Sequence, residues 1–234
     1  MSDIVQQIRA DLIKQGDSDT KSSFQRFFKE KVKYHGVKSA TVIKIAKQYF
    51  SQVKELDKEE LFNLCEELFS SGYCEESWIA ANWSHWHGDY AEDDLKVYER
   101  WIEKYIDDWA KCDTLCNHTI GEFIEKYPQY IEELKKWARS KNRWLKRASA
   151  VSLIIPARRG DFLPDILEIA DILLYDQDDM VQKGYGWMLK EASRMHQKEV
   201  FEYVLKHKDN MPRTALRYAI EKMPADLKKE AMKK

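Results

Sequence analysis

An aspartate one helical turn from a tryptophan, and a second tryptophan set among cations, are the residues whose types and spacing suit chemistry. Trp109 and Asp113 stand at i and i+4, so a helix brings them to one side. Trp109, Cys112, Cys116, Thr119 and Phe123 mark a largely apolar face of that helix, with Asp113 on its edge. A carboxylate in such a place either accepts structural hydrogen bonds or acts. Beside an aromatic wall it is suited to stabilising a developing cation or orienting a water. The second set is Lys183, Trp187, Lys190 and Arg194, again at helical spacing. It is displaced around the helix from the apolar stripe Val181, Tyr185, Met188 and Ala192. An indole there either offers its face to a base, sugar or cation beside phosphate-binding charges or lies under lysine stems.

The elements that must position these residues are helices. Helical periodicity predicts helices over about 3–18, 21–34, 39–51, 57–70, 75–88, 92–108, 109–126, 128–140, 142–156, 162–174, 178–195, 197–207 and 211–223. No useful length alternates as a half-buried strand would. Pairing 128–140 with 142–156, 162–174 with 178–195 and 197–207 with 211–223 gives units of roughly 30–40 residues, the range of HEAT-like repeats. The expected fold is all-α: one helical-repeat solenoid over 1–234 with a concave basic groove. Its parts would be N-terminal basic helices (1–54), an acidic repeat region (55–109) and repeats carrying the site (109–234). In the helix 142–156, Trp144, Ala148, Val151 and Ile155 form the buried stripe, with Arg143 and Arg147 on a flank. Arg213 and Arg217 repeat that spacing in the last pair. Three second helices presenting such cations would line one groove, and arginine suits bidentate phosphate contacts.

Charge is segregated along the chain although the net charge is −1. Residues 21–54 hold nine bases against one acid, Glu30; residues 55–109 hold sixteen acids against four bases; residues 134–159 hold nine bases and no acid. That pattern points to an anionic partner meeting one face, with the acidic region expected on the convex, solvent-facing side. No apolar run approaches the ~20 residues of a membrane span. The N-terminal Met1-Ser2-Asp3-Ile4 lacks a basic stretch followed by an apolar one, so no secretory signal is expected. Cys65, Cys74, Cys112 and Cys116 do not read as a disulfide framework. Cys112 and Cys116 lack a second Cys/His pair to complete a zinc site, so they are expected as core residues. His85-Trp86-His87 reads as packing and surface. The absence of a phosphate loop, nucleophile elbow or HExxH motif argues against nucleotide-dependent and serine-hydrolase chemistry.

Four segments in order resemble one family. They are Phe27-Phe28-Lys29 with Tyr34-His35-Gly36-Val37; Trp109-Ala110-Lys111-Cys112-Asp113; Trp144-Leu145-Lys146-Arg147-Ala148; and Gln182-Lys183-Gly184-Tyr185-Gly186-Trp187. With these the chain resembles the AlkD-type DNA alkylation repair glycosylases, built of HEAT-like repeats. The chain departs from that pattern at Ala110, where an Asp often stands, and at Asp108, where an aromatic often stands. The resemblance implies base excision repair, with hydrolysis of the N-glycosidic bond of cationic alkylpurines such as 3-methyladenine and 7-methylguanine in duplex DNA. It implies Trp109, Asp113, Arg147 and Trp187 as active-site residues. Arg143, Lys183, Lys190, Arg194, Arg213 and Arg217 would contact the DNA backbone. It implies no metal and no organic cofactor, because alkylation at a ring nitrogen already makes the base a good cationic leaving group. A monomer in the cytoplasm, associated with the nucleoid and without membrane contact, is the matching expectation. Two other readings stay open: a non-catalytic DNA-binding module using the same cations, and a protein-interaction solenoid with Trp187 as a hot spot.

Overall fold

Short polar turns and side-chain caps punctuate the helices of this chain. Asp17 accepts hydrogen bonds from the Asp19 and Thr20 amides, Asp57 from Glu60, Asn142 from Trp144 and Asp178 from Met180. Each satisfies amide groups that a helix start leaves orphaned. The structure, a computed structural model, describes residues 2–233. Among them there is no β-strand, only an isolated parallel bridge between Lys33 and Tyr73. No helix among the described residues is long and apolar enough to cross a membrane. The fold is an all-α helical repeat, as the periodicity predicts. The chain divides into two compact units, Met1–Leu115 and Cys116–Lys234.

The first unit holds α1 (Asp3–Gln15), α2 (Ser18–Gln25), α3 (Ser39–Val53), α4 (Lys58–Ser70), α5 (Cys74–His87), α6 (Asp94–Tyr105) and α7 (Trp109–Leu115). Helix α5 is its centre and packs on α3, α4 and α7. It is apolar and buried on several sides, and Trp83 donates its Nε1 proton to the Ala46 carbonyl at 2.9 Å. The predicted helix 21–34 forms only as far as Gln25. Helix α2 stops at Gln25, and residues 26–38 run as turns and extended chain. Gln25 itself bonds this connector, donating to the Glu30 carbonyl and accepting from the Val32 amide. Tyr34 and Val37 are buried through it, a use of apolar residues that a helix over the same stretch would not make. The acidic region is also not simply a solvent-facing side. Glu75, Glu76, Asp94 and Asp108 within it are buried.

The second unit holds α8 (Gly121–Lys126), α9 (Ile131–Ala138), α10 (Arg143–Val151), α11 (Ile154–Arg159), α12 (Leu163–Leu173), α13 (Asp179–Ala192), α14 (Gln197–His207), α15 (Arg213–Ala219) and α16 (Ala225–Met232). Helices α10, α13 and α15 pack in series, and α9 packs on both α10 and α12. This is the layering that stacked helix pairs produce. Helix α15 packs chiefly on α13, and α16 was not foreseen. The predicted helix 142–156 is broken at Ser152 and Leu153. Pro156 explains the break: it lacks the amide that would bond the Ser152 carbonyl, and its ring clashes with that group. The core register shifts with it, so Ile154 is buried and Ile155 only half-buried. The predicted helix 109–126 is observed as α7, a π-helical turn over Cys116–Ile120 and α8. Its expected buried face survives, with Cys112, Cys116, Thr119 and Phe123 all inaccessible. The four cysteines are free and buried.

Candidate active site and DNA-contact residues

In the first unit, Trp109 opens α7 and its indole is fixed on two sides. One face stacks on Phe28, with ring centroids 5.1 Å apart and planes 15° from parallel. The Nε1 proton is donated to the Phe27 carbonyl at 3.4 Å. Phe28 in turn meets Tyr34 edge-on, and Tyr34 stacks on Phe24 and meets Trp78 edge-on. Trp109 stays half-buried while the Phe27 side chain beside it is 69% exposed. Asp113, one turn along α7, is buried at 8% exposure. An aromatic wall and a desolvated carboxylate therefore occupy adjacent turns of one short helix.

A buried polar cluster sets the start of α7, and it accounts for the two departures from the family pattern. Asp108 is fully buried and accepts the Lys111 amide at 2.9 Å, capping α7. It also accepts the Cys74 thiol proton at 2.9 Å. The Lys111 ammonium, itself buried, donates to Asp107 at 2.6 Å and to the Gly72 carbonyl at 2.9 Å. Burial pushes the Asp108 carboxyl above the ordinary carboxylate range, with the Cys74 hydrogen bond and Lys111 opposing it. Burial also pushes the Cys74 thiol up, and Asp108 adds to the shift, so the sulfur is a proton donor and not a thiolate. Burial would lower Lys111, but Asp107 and Asp108 outweigh it and keep the ammonium charged. Ala110 joins Phe28, Tyr34 and Cys74 in the apolar cluster beneath. A second buried pair seats the connector before α3. The Glu75 carboxylate accepts the amides of His35, Gly36 and Val37 at 3.1, 2.9 and 3.0 Å. Glu76 takes Arg9 at 2.8 Å and the His35 ring at 3.0 Å. Burial alone would raise Glu76; the His35 and Arg9 hydrogen bonds outweigh it and hold the carboxyl below its ordinary range.

In the second unit the remaining expected residues fall on α10, α13 and α15. Arg147 is buried at 4% exposure and donates to the Met180 carbonyl. Its side chain lies against Gly184, where an added Cβ would stand 3.4 Å from the arginine Cγ. Gly186 permits a closer approach: a Cβ there would stand 2.8 Å from the Ala215 carbonyl oxygen and from the Tyr218 Cβ. These two glycines seat α13, which carries Trp187 directly after Gly186, against α10 and α15. Trp187 is half-buried, and the Lys190 ammonium lies 5.8 Å from its ring centre and 5.8 Å from that of Tyr218. The expected cations of α10 and α13 are engaged by acids. Arg143 donates to Asp178 from Nη2 at 3.1 Å, with Nε 2.8 Å from the same carboxylate, Lys183 meets Asp179 at 3.3 Å, Lys190 meets Glu221 at 3.2 Å and Arg194 meets Glu191 at 2.6 Å. Arg213 and Arg217 are exposed on α15 with no acid partner among the described residues. No group of three or more His, Cys, Asp or Glu among the described residues is arranged to hold a metal ion.

The family model for DNA alkylation repair enzymes matches residues 8–223 of this sequence. The chain belongs to the DNA alkylation repair enzyme family. A solved structure described as a predicted DNA alkylation repair enzyme from Enterococcus faecalis superposes with a TM-score of 0.81. The match covers 90% of this chain and 98% of that one at 13% identity, a likeness of fold. No curated protein matches the sequence. Within this repair enzyme, sequence reasoning missed Asp108, Lys111 and Cys74 as a buried cluster and Phe28 as the seat of Trp109. Phe27-Phe28 drew notice only as a motif. The two glycines of α13 carried a signal, since glycine inside a helix costs about 1 kcal/mol and so points to close packing.

Proposed function

We propose that this enzyme is a DNA glycosylase of base excision repair that hydrolyses the N-glycosidic bond of cationic alkylpurines, of the 3-methyladenine and 7-methylguanine type, in duplex DNA. The observation that carries the reading is Trp109: a half-buried indole held by Phe28 and the Phe27 carbonyl, one helical turn from the buried carboxylate of Asp113. A fixed aromatic face favours positive charge. A desolvated carboxylate stabilises a developing cation far better than one in water. As the bond to an alkylated base breaks, its electron pair leaves with the base, which is thereby neutralised. Positive charge grows on the sugar, and water supplies the new oxygen bond. Asp113 stabilises that oxocarbenium-like sugar and orients the water, and Trp109 packs against the nucleotide.

In the second unit Trp187 is assigned a contact with a nucleotide and Arg147 a contact with a phosphate. Arg147 is anchored by Met180 and Gly184, so it acts from a fixed position. Arg143, Lys183, Lys190, Arg194, Arg213 and Arg217 supply sequence-independent backbone affinity. The non-catalytic reading uses these cations equally well but has no use for a carboxylate buried beside Trp109.

The test is release of methylated bases from methylated duplex DNA by wild type and Asp113→Asn. Wild type should release 7-methylguanine or 3-methyladenine. The variant should be slower by about 100–1,000-fold while binding DNA almost as tightly. Equal rates would remove Asp113 from the mechanism. Salt-sensitive DNA binding without any release by wild type would leave the non-catalytic module.

A further inference from the structure

Cys74 joins the two chain segments whose rings meet at Trp109. Its amide donates to the Lys33 carbonyl at 3.0 Å, on the connector that also carries Phe28. Its thiol donates at 2.9 Å to Asp108, the residue just before Trp109. Cys74 and Asp108 are both inaccessible to solvent. A second bond runs beside these, from the Lys111 ammonium to the Gly72 carbonyl at 2.9 Å. That ammonium also lies 3.6 Å from the Asp108 carboxylate, so thiol, carboxylate and ammonium form one buried set. Helix α7 has seven residues, too few to be stable by itself, and its place is set by what its start is bonded to. Trp109 is only half-buried, and its indole bond to the Phe27 carbonyl is long at 3.4 Å. The bonds at Asp108 are shorter, charge-assisted and desolvated, which makes them the stronger restraint.

We propose that Cys74 and Asp108 are positioning residues for Trp109 and Asp113: the thiol–carboxylate bond fixes the start of α7 against the start of α5, and with it the angle at which the Trp109 ring meets Phe28. The proposal deepens the glycosylase reading and rests on it for the effect on rate. The Lys111 amide bond to one carboxylate oxygen of Asp108 caps the helix. The thiol bond to the other oxygen sets where that cap lies relative to the connector. A shift of the first turn of α7 carries Trp109 directly, and Asp113 one turn later on the same short helix. Cys74 serves both sides of the Phe28–Trp109 stack at once, so loosening it frees the two rings relative to each other. A misplacement of about 1 Å can slow a reaction about 100-fold without any loss of a reacting group.

The experiment labels the chain with 5-fluorotryptophan and compares wild type, Cys74→Ala, Cys74→Ser and Asp108→Asn by fluorine NMR. Trp109→Phe and Trp187→Phe assign the two lines of interest. Cys74→Ala removes the thiol and leaves the carboxylate its ammonium partner, so the buried charges stay balanced. The Trp109 line should move and broaden in Cys74→Ala and in Asp108→Asn, while the Trp187 line stays in place. Cys74→Ser restores a donor to Asp108 and should return the Trp109 line toward wild type. In single turnovers on methylated duplex, base release should fall about 10–100-fold in Cys74→Ala and recover in part in Cys74→Ser, with duplex affinity changed by less than about twofold. Ile169→Val, at an inaccessible position of α12, lowers the melting temperature without touching this set and should leave the Trp109 line and release unchanged. A Trp109 line unmoved in both Cys74→Ala and Asp108→Asn overturns the proposal, and so does a moved line with wild-type release. Should Asp108→Asn fail to fold, the two Cys74 variants decide alone. If wild type releases no base, the glycosylase reading fails by itself, and the fluorine lines still decide whether Cys74 and Asp108 place Trp109.

Discussion

Residues 21–54 and residues 134–159 each contain nine bases and almost no acid, yet the fold pairs the bases of the second stretch with acids far more completely. In the second stretch Lys135 meets Glu132, Asp165 and Glu168, Lys136 meets Glu133, Arg143 meets Asp178, Lys146 meets Asp176, Arg158 meets Glu191 and Arg159 meets Glu125. Arg139 and Arg147 donate to the carbonyls of Lys135 and Met180. In the first stretch Arg26, Lys31 and Lys33 stand exposed without an acid partner among the described residues. A run of bases in sequence therefore measures charge but not free charge. Several of the neutralising acids come from about 30 residues away, and only the fold decides which bases they reach. An unpaired surface cation offers its full attraction to phosphate, whereas a paired one must first give up an existing partner.

The comparison breaks most visibly if the connector is unseated. Phe28 is the ring on which both Trp109 and Tyr34 rest. Truncating a buried phenylalanine costs about 3–5 kcal/mol, so Phe28→Ala should lower the melting temperature strongly. Phe28→Leu keeps most of the volume and should cost less than that. It nevertheless removes the stacked face behind Trp109 and should slow base release more than it weakens DNA binding. Thermal melts and base-release rates of the two variants check this. A leucine variant with wild-type release would show that the stacking does not position Trp109.

On the other side of the comparison, the paired cations depend on the close approach of α10, α13 and α15. Gly186→Ala gains about 0.5–1 kcal/mol of helix propensity. Its new methyl would meet the Ala215 carbonyl oxygen and Tyr218 Cβ at 2.8 Å, and overpacking of this kind costs typically 1–3 kcal/mol. Backbone and a Cβ cannot swing aside, so the clash should win and the melting temperature should fall. Gly184→Ala, whose nearest neighbour is the more adaptable Arg147 side chain at 3.4 Å, should cost less. Melts of the two variants in parallel rank them, and the reverse order would mean that α15 yields more readily than Arg147.

What was legible in the sequence follows from local periodicity. Helix 197–207 has the boundaries that the apolar spacing predicts, and Val181, Tyr185, Met188 and Ala192 are all buried. Trp109 and Asp113 were found because a single helical turn relates them. The connector was missed because its period changes from helical to two within a few residues. From Lys29 to Tyr34 exposure alternates, exposed at Lys29, Lys31 and Lys33 and lower between them, a period that a helix does not have. The ion pairs of α13 were missed for a different reason. Lys183, Lys190 and Arg194 look like a free basic stripe until Asp179, Glu221 and Glu191 are placed beside them. The sequence shows Asp108 only as a departure from the family pattern beside Trp109, because its partner Cys74 is 34 residues away.

The mildest test reverses the sign of the others. Asp176 and Asp178, on the loop before α13, hold Lys146 and Arg143. Arg143 donates one hydrogen bond to Asp178 from Nη2, at 3.1 Å, and its Nε lies 2.8 Å from the same carboxylate. The two carboxylates therefore occupy cations assigned to, or adjoining those assigned to, the DNA backbone. Asp178 also caps α13, a task asparagine performs as well, so Asp176→Asn/Asp178→Asn should retain the helix. These side chains are only 12–34% exposed, so the pairs lie between surface and buried ones and are worth on the order of 1 kcal/mol each. Releasing them should tighten binding to an unmodified duplex by roughly 2–10-fold and steepen its salt dependence. Unchanged or weaker binding would mean that Arg143 and Lys146 do not reach phosphate even when freed, leaving them as fasteners between α10 and the start of α13.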